Sequence, residues 1–266
     1  MTVAEYFARN VYDRRLALST VNSMRSTLSF VRRYDIELDK VDFAWLQEID
    51  KRLASTGKAP TTINKMHAHI KKILNLALKE GLIEKNPYMN MVLHATKSTR
   101  TFLTKDEALK IFKHECYFSD VFEFQTLTGL NIGDLLSLRR EHIVSLVVDG
   151  QTYHAIDRSR QKTDTHYVVP LKKRAVEIGE KYDYQFNINT RDYNAWLKDI
   201  SNKEGITKHV TNAVGRHTYA TQLLEDGVSL EAVSGSLGHT STKTTQIYAE
   251  ITGAKIVRDF VKNGLM

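Results

Sequence analysis

The chain has 266 residues, 42% of them hydrophobic, with ten histidines, one cysteine and a formal net charge of +7. That length buries a sizeable core and suits two domains. No run of about 18 apolar residues exists, which excludes a membrane-spanning helix, and one cysteine excludes an internal disulfide framework.

The N-terminus, MTVAEYFARNVYDRR, lacks the basic-then-apolar layout of a signal peptide, and a reducing, cytoplasmic setting is expected. Residues 1–98 hold 16 Lys and Arg against 10 Asp and Glu, whereas the remainder is nearly balanced at 22 against 21. A basic excess concentrated in one half points to a polyanionic partner.

Residues 1–90 read as helices. Ser19 or Thr20 is placed to cap a helix whose apolar positions Val21, Met24, Leu28 and Val31 recur at helical spacing. Asp42 precedes a second helix over Phe43–Leu53. Pro60-Thr61 opens a long third one, with Ile63, Met66, Ile70, Leu74, Ala77 and Leu78 on one face and Lys65, His67, His69, Lys71 and Lys72 on the other. Gly81 ends it, and Asn86-Pro87 breaks the chain. Residues 91–101 lose the apolar period and gain Thr, Ser, Lys and Arg, as an interdomain linker does. Thr104-Lys105-Asp106-Glu107 is a capping box that begins a second domain over residues 102–266. Cys116, in an apolar helical stretch, is expected to be a small core residue. Ile143–Val148 and Thr152–Asp157 flank Asp149-Gly150, a strong hairpin signal, and His166–Val169 adds a third strand before Pro170. Helical patterns resume from Lys172.

The last third carries Arg216-His217, then Leu237-Gly238-His239, then Tyr248. A cation, an imidazole and a phenol in that order are what a tyrosine nucleophile attacking a phosphodiester needs. Breaking a DNA strand while conserving the bond energy requires a covalent enzyme intermediate. The transition state gains negative charge on phosphate oxygens, so preorganised cations supply the largest catalytic effect. A phenol with an ordinary pKa of about 10 needs help in losing its proton, and the leaving oxygen needs a donor. Fixed side chains suffice for this, so no metal or other cofactor is expected.

The spacing, 23 residues from Arg216 to His239 and 9 from His239 to Tyr248, resembles that of the tyrosine recombinase (phage integrase) family. The resemblance covers roughly residues 3–258. It implies a mainly α chain: an N-terminal helical core-binding (SAM-like) domain, then an α+β catalytic domain of the DNA breaking-rejoining fold with a small three-stranded antiparallel sheet. It further implies Tyr248 as nucleophile forming a 3′-phosphotyrosyl bond, Arg216 as phosphate clamp and His239 as donor to the scissile phosphate. Lys162, in Arg160-Gln161-Lys162-Thr163 between the second and third strands, would be the general acid for the 5′-oxygen. His217 is typical of the family but supportive.

The partner implied is double-stranded DNA, bound as a dimer per site and a tetramer in synapsis, with no small-molecule substrate. Arg25, Lys65, Lys71 and Lys72 are expected, as a group, to contact phosphates. With no arm-binding domain before the first unit, a simple recombination site is expected. The tail Ala254–Met266 would dock on a neighbouring subunit or pack on its own domain.

Two positions depart from the family pattern. The first box, usually Thr-Gly-Leu-Arg-Ile-x-Glu-Leu, reads Thr128-Gly129-Leu130-Asn131-Ile132-Gly133-Asp134-Leu135, so Asn131 replaces an arginine. Ala213 replaces the histidine of His-x-x-Arg, and His209, seven residues before Arg216, cannot take its place without a local insertion. Three readings stay open: an enzyme active with a substitute cation, for which Arg158 and Arg160 are candidates; a slow enzyme; or a disabled, recombinase-derived DNA-binding protein. A type IB topoisomerase shares the chemistry but would relax supercoils without site preference.

Overall fold

The computed structural model describes residues 1–11, 16–93, 100–161, 163–249, 261 and 264. The chain divides into two compact units, Met1–Ser98 and Thr99–Met266.

In the first unit, α1 (Val3–Val11), α2 (Leu18–Val31), α3 (Phe43–Ala54) and α4 (Pro60–Lys79) surround one core. Tyr6 and Phe7 of α1 meet Met24, Leu28 and Val31 of α2, Leu46 and Ile49 of α3, and Ile70 and Leu74 of α4 there. Helix α2 starts earlier than expected: Ala17 is its N-cap without a side-chain bond, so Ser19 and Thr20 lie inside the first turn. Asp42 caps α3 by accepting from Trp45 N at 2.8 Å. Gly81 takes φ +72° and Leu82 N donates to Ala77 O at 2.9 Å, the hydrogen bond that closes a helix on a left-handed residue.

His67 is not on the solvated face of α4. It is fully buried, with Nδ1 2.8 Å from the Tyr88 hydroxyl and Nε2 3.1 Å from Asp50. Its position one turn from both Ile63 and Ile70 puts it on the apolar stripe, where an imidazole persists only with partners. Residues 94–99 of the expected linker lie outside the described residues.

The second unit holds α5 (Lys105–Phe112), α6 (Tyr117–Thr128), α7 (Ile132–Leu136), β1 (Ile143–Val148), β2 (Gln151–Ser159) and β3 (His166–Pro170). Helices α8 (Lys173–Lys181), α9 (Thr190–Lys203), α10 (Asn212–Glu225), α11 (Leu230–Ser236) and α12 (Lys243–Gln246) follow. Thr104 and Glu107 form the capping box of α5. The strands make an antiparallel sheet in the order β1-β2-β3, with Ile156 opposite both Ile143 and Val169. Asp149 and Gly150 both have positive φ, as a two-residue hairpin turn requires. Cys116 is not a core residue. It is exposed and occupies the N-cap of α6, because α5 ends at Phe112 and the chain turns before α6 begins.

Helix α10 carries Arg216 and His217, and its middle is buried. Thr218 and Ala220 are fully enclosed, and Thr218 Oγ1 accepts from Leu103 N at 3.0 Å, tying the segment before α5 to the middle of α10. A Cβ on Gly215 would stand 3.2 Å from Gln125 Cβ, so α10 lies close against α6.

Candidate active site

Arg216 projects from α10 between the C-terminal ends of two helices. Its Nη1 donates to Gly129 O, just beyond α6, at 2.7 Å, and its Nη2 donates to Leu237 O, beyond α11, at 2.7 Å. Unsatisfied carbonyls at helix C-termini carry partial negative charge, so they hold a guanidinium well. Gly129 makes this geometry available: its φ is +67°, and a Cβ there would overlap the Tyr219 ring. Burial, then the neighbouring Arg160, lower the Arg216 pKa to about 10, which leaves it charged at neutral pH. Its Nε–H and one Nη1–H meet no acceptor among the described residues.

Leu237-Gly238-His239 is the end of α11. Gly238 takes φ +59° and His239 N donates back to Ser234 O at 3.0 Å, a Schellman closure that needs glycine at this place. It aims His239 at Arg216, whose Nη2 donates to His239 Nε2 at 3.0 Å. Because a guanidinium cannot accept, Nδ1 carries the imidazole hydrogen and donates to Thr245 Oγ1 at 2.8 Å. Burial, then Arg216 and Arg160, lower the His239 pKa to about 4, so it is neutral near pH 7.

Tyr248 is buried, 9% exposed, and its hydroxyl lies 2.8 Å from His217 Nδ1. The rings stand 5.4 Å apart, tilted by 39°. Burial raises the phenol pKa, with Arg216 and Arg100 opposing. Burial, then Arg100 and Arg216, lower the His217 pKa to about 4. With the phenol protonated and the imidazole neutral, the Nε2–H tautomer of His217 accepts the phenolic hydrogen at Nδ1.

Asn131 is held at the start of a helix. It is the N-cap of α7: its Oδ1 accepts from Asp134 N at 3.0 Å, and its Nδ2 donates to the Asp134 carboxylate. Asp134 is buried and also accepts from Gln161 N at 3.1 Å, so it organises the turn after β2.

The two hairpin arginines part company. Arg158 is absorbed by α7, donating to Asp134 O at 3.2 Å and Ser137 Oγ at 3.0 Å. Arg160 runs to the end of α11, where Nη1 donates to Gly238 O at 3.3 Å and Nε stands 3.6 Å from Asp134 Oδ2. That Nε is buried without a hydrogen-bond partner. Arg160 also lies near enough to Arg216 and His239 to depress the proton affinity of both.

Ala213 is exposed in the first turn of α10, and His209, also exposed, precedes the helix. Lys162 lies outside the described residues, as do residues 251–260 of the tail region. In the first unit Lys65, Lys71 and Lys72 are exposed on α4 and Arg25 is exposed on α2. His217, expected to be supportive, contacts the Tyr248 hydroxyl directly, and Arg100, which the family pattern does not mark, acts on both. The available signal for His217 was its spacing, one helical turn beyond Ala213.

The phage integrase family model matches residues 101–254, and the phage integrase SAM-like domain model matches residues 2–98. Among curated proteins, the tyrosine recombinase XerD of Listeria monocytogenes is 22% identical, with 92% of each chain covered. A tyrosine recombinase of Thermosipho africanus is 25% identical, with 86% of each covered. Among solved structures, the Tn1549 transposon integrase in complex with a circular intermediate DNA superposes with a TM-score of 0.78 at 18% identity, covering 98% of this chain and 99% of that one. A lambda integrase dimer bound to a COC′ core site gives 0.78 at 19% identity, covering 95% and 97%. A lambda integrase tetramer bound to a Holliday junction gives 0.76 at 18%, covering 94% and 78%.

Proposed function

The chain belongs to the phage integrase family of tyrosine recombinases, and on that premise we propose that it cleaves and rejoins duplex DNA at a specific site through a 3′-phosphotyrosyl intermediate on Tyr248. The observation that carries this reading is the gathering of Arg160, His239 and Tyr248 around the guanidinium of Arg216. Arg216 offers Nε–H and one Nη1–H to the non-bridging oxygens, and Arg160 supplies a second cation from the hairpin in place of the arginine replaced by Asn131. Such preorganised charge stabilises a phosphorane without reorganisation. His239 donates from Nε2 to a phosphate oxygen in its other tautomer, with the Thr245 hydroxyl turned to donate to Nδ1, and Lys162 protonates the 5′-oxygen.

Residues 1–90 are assigned to DNA binding, 91–101 to a linker and 102–266 to catalysis. Arg25, Lys65, Lys71 and Lys72 contribute phosphate contacts, which make binding salt-dependent. The dimer and tetramer captured for lambda integrase support a dimer per site and a tetramer in synapsis for this chain.

The competing reading, a disabled recombinase-derived DNA-binding protein, rests on Asn131 and Ala213. A nicked suicide duplex carrying a site selected by the protein from a random-sequence pool separates the two. The wild-type protein forms a covalent adduct and Tyr248→Phe forms none. Arg160→Ala slows adduct formation about 10²–10³-fold, whereas Arg158→Ala remains within about 10-fold, reflecting a structural role. Site-specific binding with no adduct from the wild-type protein would establish the competing reading instead.

A further inference from the structure

We propose that His217 is the group that takes the proton from the Tyr248 nucleophile. The inference rests on the reading of Tyr248 as nucleophile and adds its proton acceptor.

Three features of the structure converge on it. The hydroxyl of Tyr248 lies 2.8 Å from His217 Nδ1, within direct proton-transfer distance. His217 stands four residues beyond Ala213 on α10, so both positions share one helix face, and the imidazole sits one turn, about 5.4 Å, further along. Among the described residues, the other site histidine is committed elsewhere: His239 accepts from Arg216 and donates to Thr245. No carboxylate is within hydrogen-bond distance of the Tyr248 hydroxyl among the described residues. The charged groups acting on His217 are Arg100, from the segment before α5, and Arg216, from α10 itself. Both disfavour the imidazolium, so the ring is neutral before the substrate phosphate arrives.

The step balances. The tyrosine oxygen forms a bond to phosphorus as the bond from phosphorus to the 5′-oxygen breaks. The phenolic proton passes to His217 Nδ1, and the leaving 5′-oxygen takes a proton from the general acid assigned above. On religation the 5′-hydroxyl attacks, its proton returns to that acid, and His217 gives its proton back to the departing tyrosine oxygen. The incoming phosphate places negative charge beside His217 and favours the imidazolium that forms.

Single-turnover adduct formation on the same selected suicide duplex, followed from pH 5 to 10, tests this. His217→Ala slows cleavage by about 100-fold or more near pH 7, and its rate goes on rising with pH after the wild-type rate has levelled. His217→Asn keeps a hydrogen-bond acceptor near the hydroxyl but cannot bind a proton, so it stays slow with the same altered pH profile. Added imidazole restores part of the rate to His217→Ala. Binding of the selected duplex and the thermal unfolding midpoint serve as controls that both variants fold. Rates within about threefold of wild type at every pH, a faster His217→Ala, or full recovery in His217→Asn would each overturn the proposal. In those cases the wild-type adduct still forms, and the reading of Tyr248 stands. If the wild-type protein forms no Tyr248-dependent adduct, that reading fails and His217 fails with it.

Discussion

Replacing Gly238 by alanine tests whether the end of α11 is built to seat Arg160. The residue adopts φ +59°, and a Cβ there would stand 2.7 Å from Arg160 Cδ and 2.9 Å from its Cγ. The left-handed backbone alone disfavours alanine by about 1–2 kcal/mol. Moving the arginine adds to this, because the displaced atoms are the middle of a side chain held at Gly238 O and Asp134. Disturbing that partly buried pair adds about 1 kcal/mol. Gly150 is the control: its φ is +76°, yet a Cβ there meets nothing within 4 Å. Gly238→Ala should therefore lower stability by about 2–3 kcal/mol and Gly150→Ala by about 1–2. At about 2–4 °C per kcal/mol for a unit of this size, calorimetry reads the difference directly. The functional contrast is larger. Gly150→Ala leaves adduct formation near the wild-type rate, while Gly238→Ala loses about 10²-fold as Arg160 leaves the phosphate site. Equal unfolding midpoints for the two variants, or full cleavage by Gly238→Ala, would refute the reasoning.

If Arg160 supplies the cation as proposed, Asn131→Arg should bring no gain in cleavage, because Asn131 caps α7; losing the cap lowers stability by about 1 kcal/mol in urea denaturation. His217 and His239 both have folded pKa values near 4, below the ordinary value of about 6.5. The unfolded chain then binds more protons between those values, so stability is intact above pH 6.5 and falls as pH drops toward 4. Solvent screening of these half-buried rings leaves each contributing about 1 kcal/mol to that loss, and the double variant His217→Gln, His239→Gln should lose less between pH 6.5 and 4.5 than wild type. His67→Ala should destabilise the first unit by about 2–4 kcal/mol, since it leaves a cavity and strips Tyr88 and Asp50 of a partner; chemical denaturation measures it.

Much of the molecule is written locally in the chain. Apolar spacing placed α3 and α4, Asp149-Gly150 placed the hairpin, and Thr104 with Glu107 placed the start of α5, because each depends on neighbours within about one or two turns. Leu237-Gly238-His239 belongs to the same class: a glycine after a helix closes it, and the next residue follows from backbone geometry. The cap formed by Asn131 on Asp134 is equally local, closing within three residues. Tertiary structure alone decided the rest. Arg158 is in β2 and Arg160 lies one residue past its end, and only the packing of this segment against α7 and the end of α11 gives them different partners. His67 and Cys116 exchanged their expected burial because stripe width and helix ends are settled by packing. His217 and Tyr248 are 31 residues apart, and their hydrogen bond exists only once α10 and the segment after α12 meet. The protonation states of both site histidines come from burial beside arginines, a property of the folded surroundings that residue order does not display.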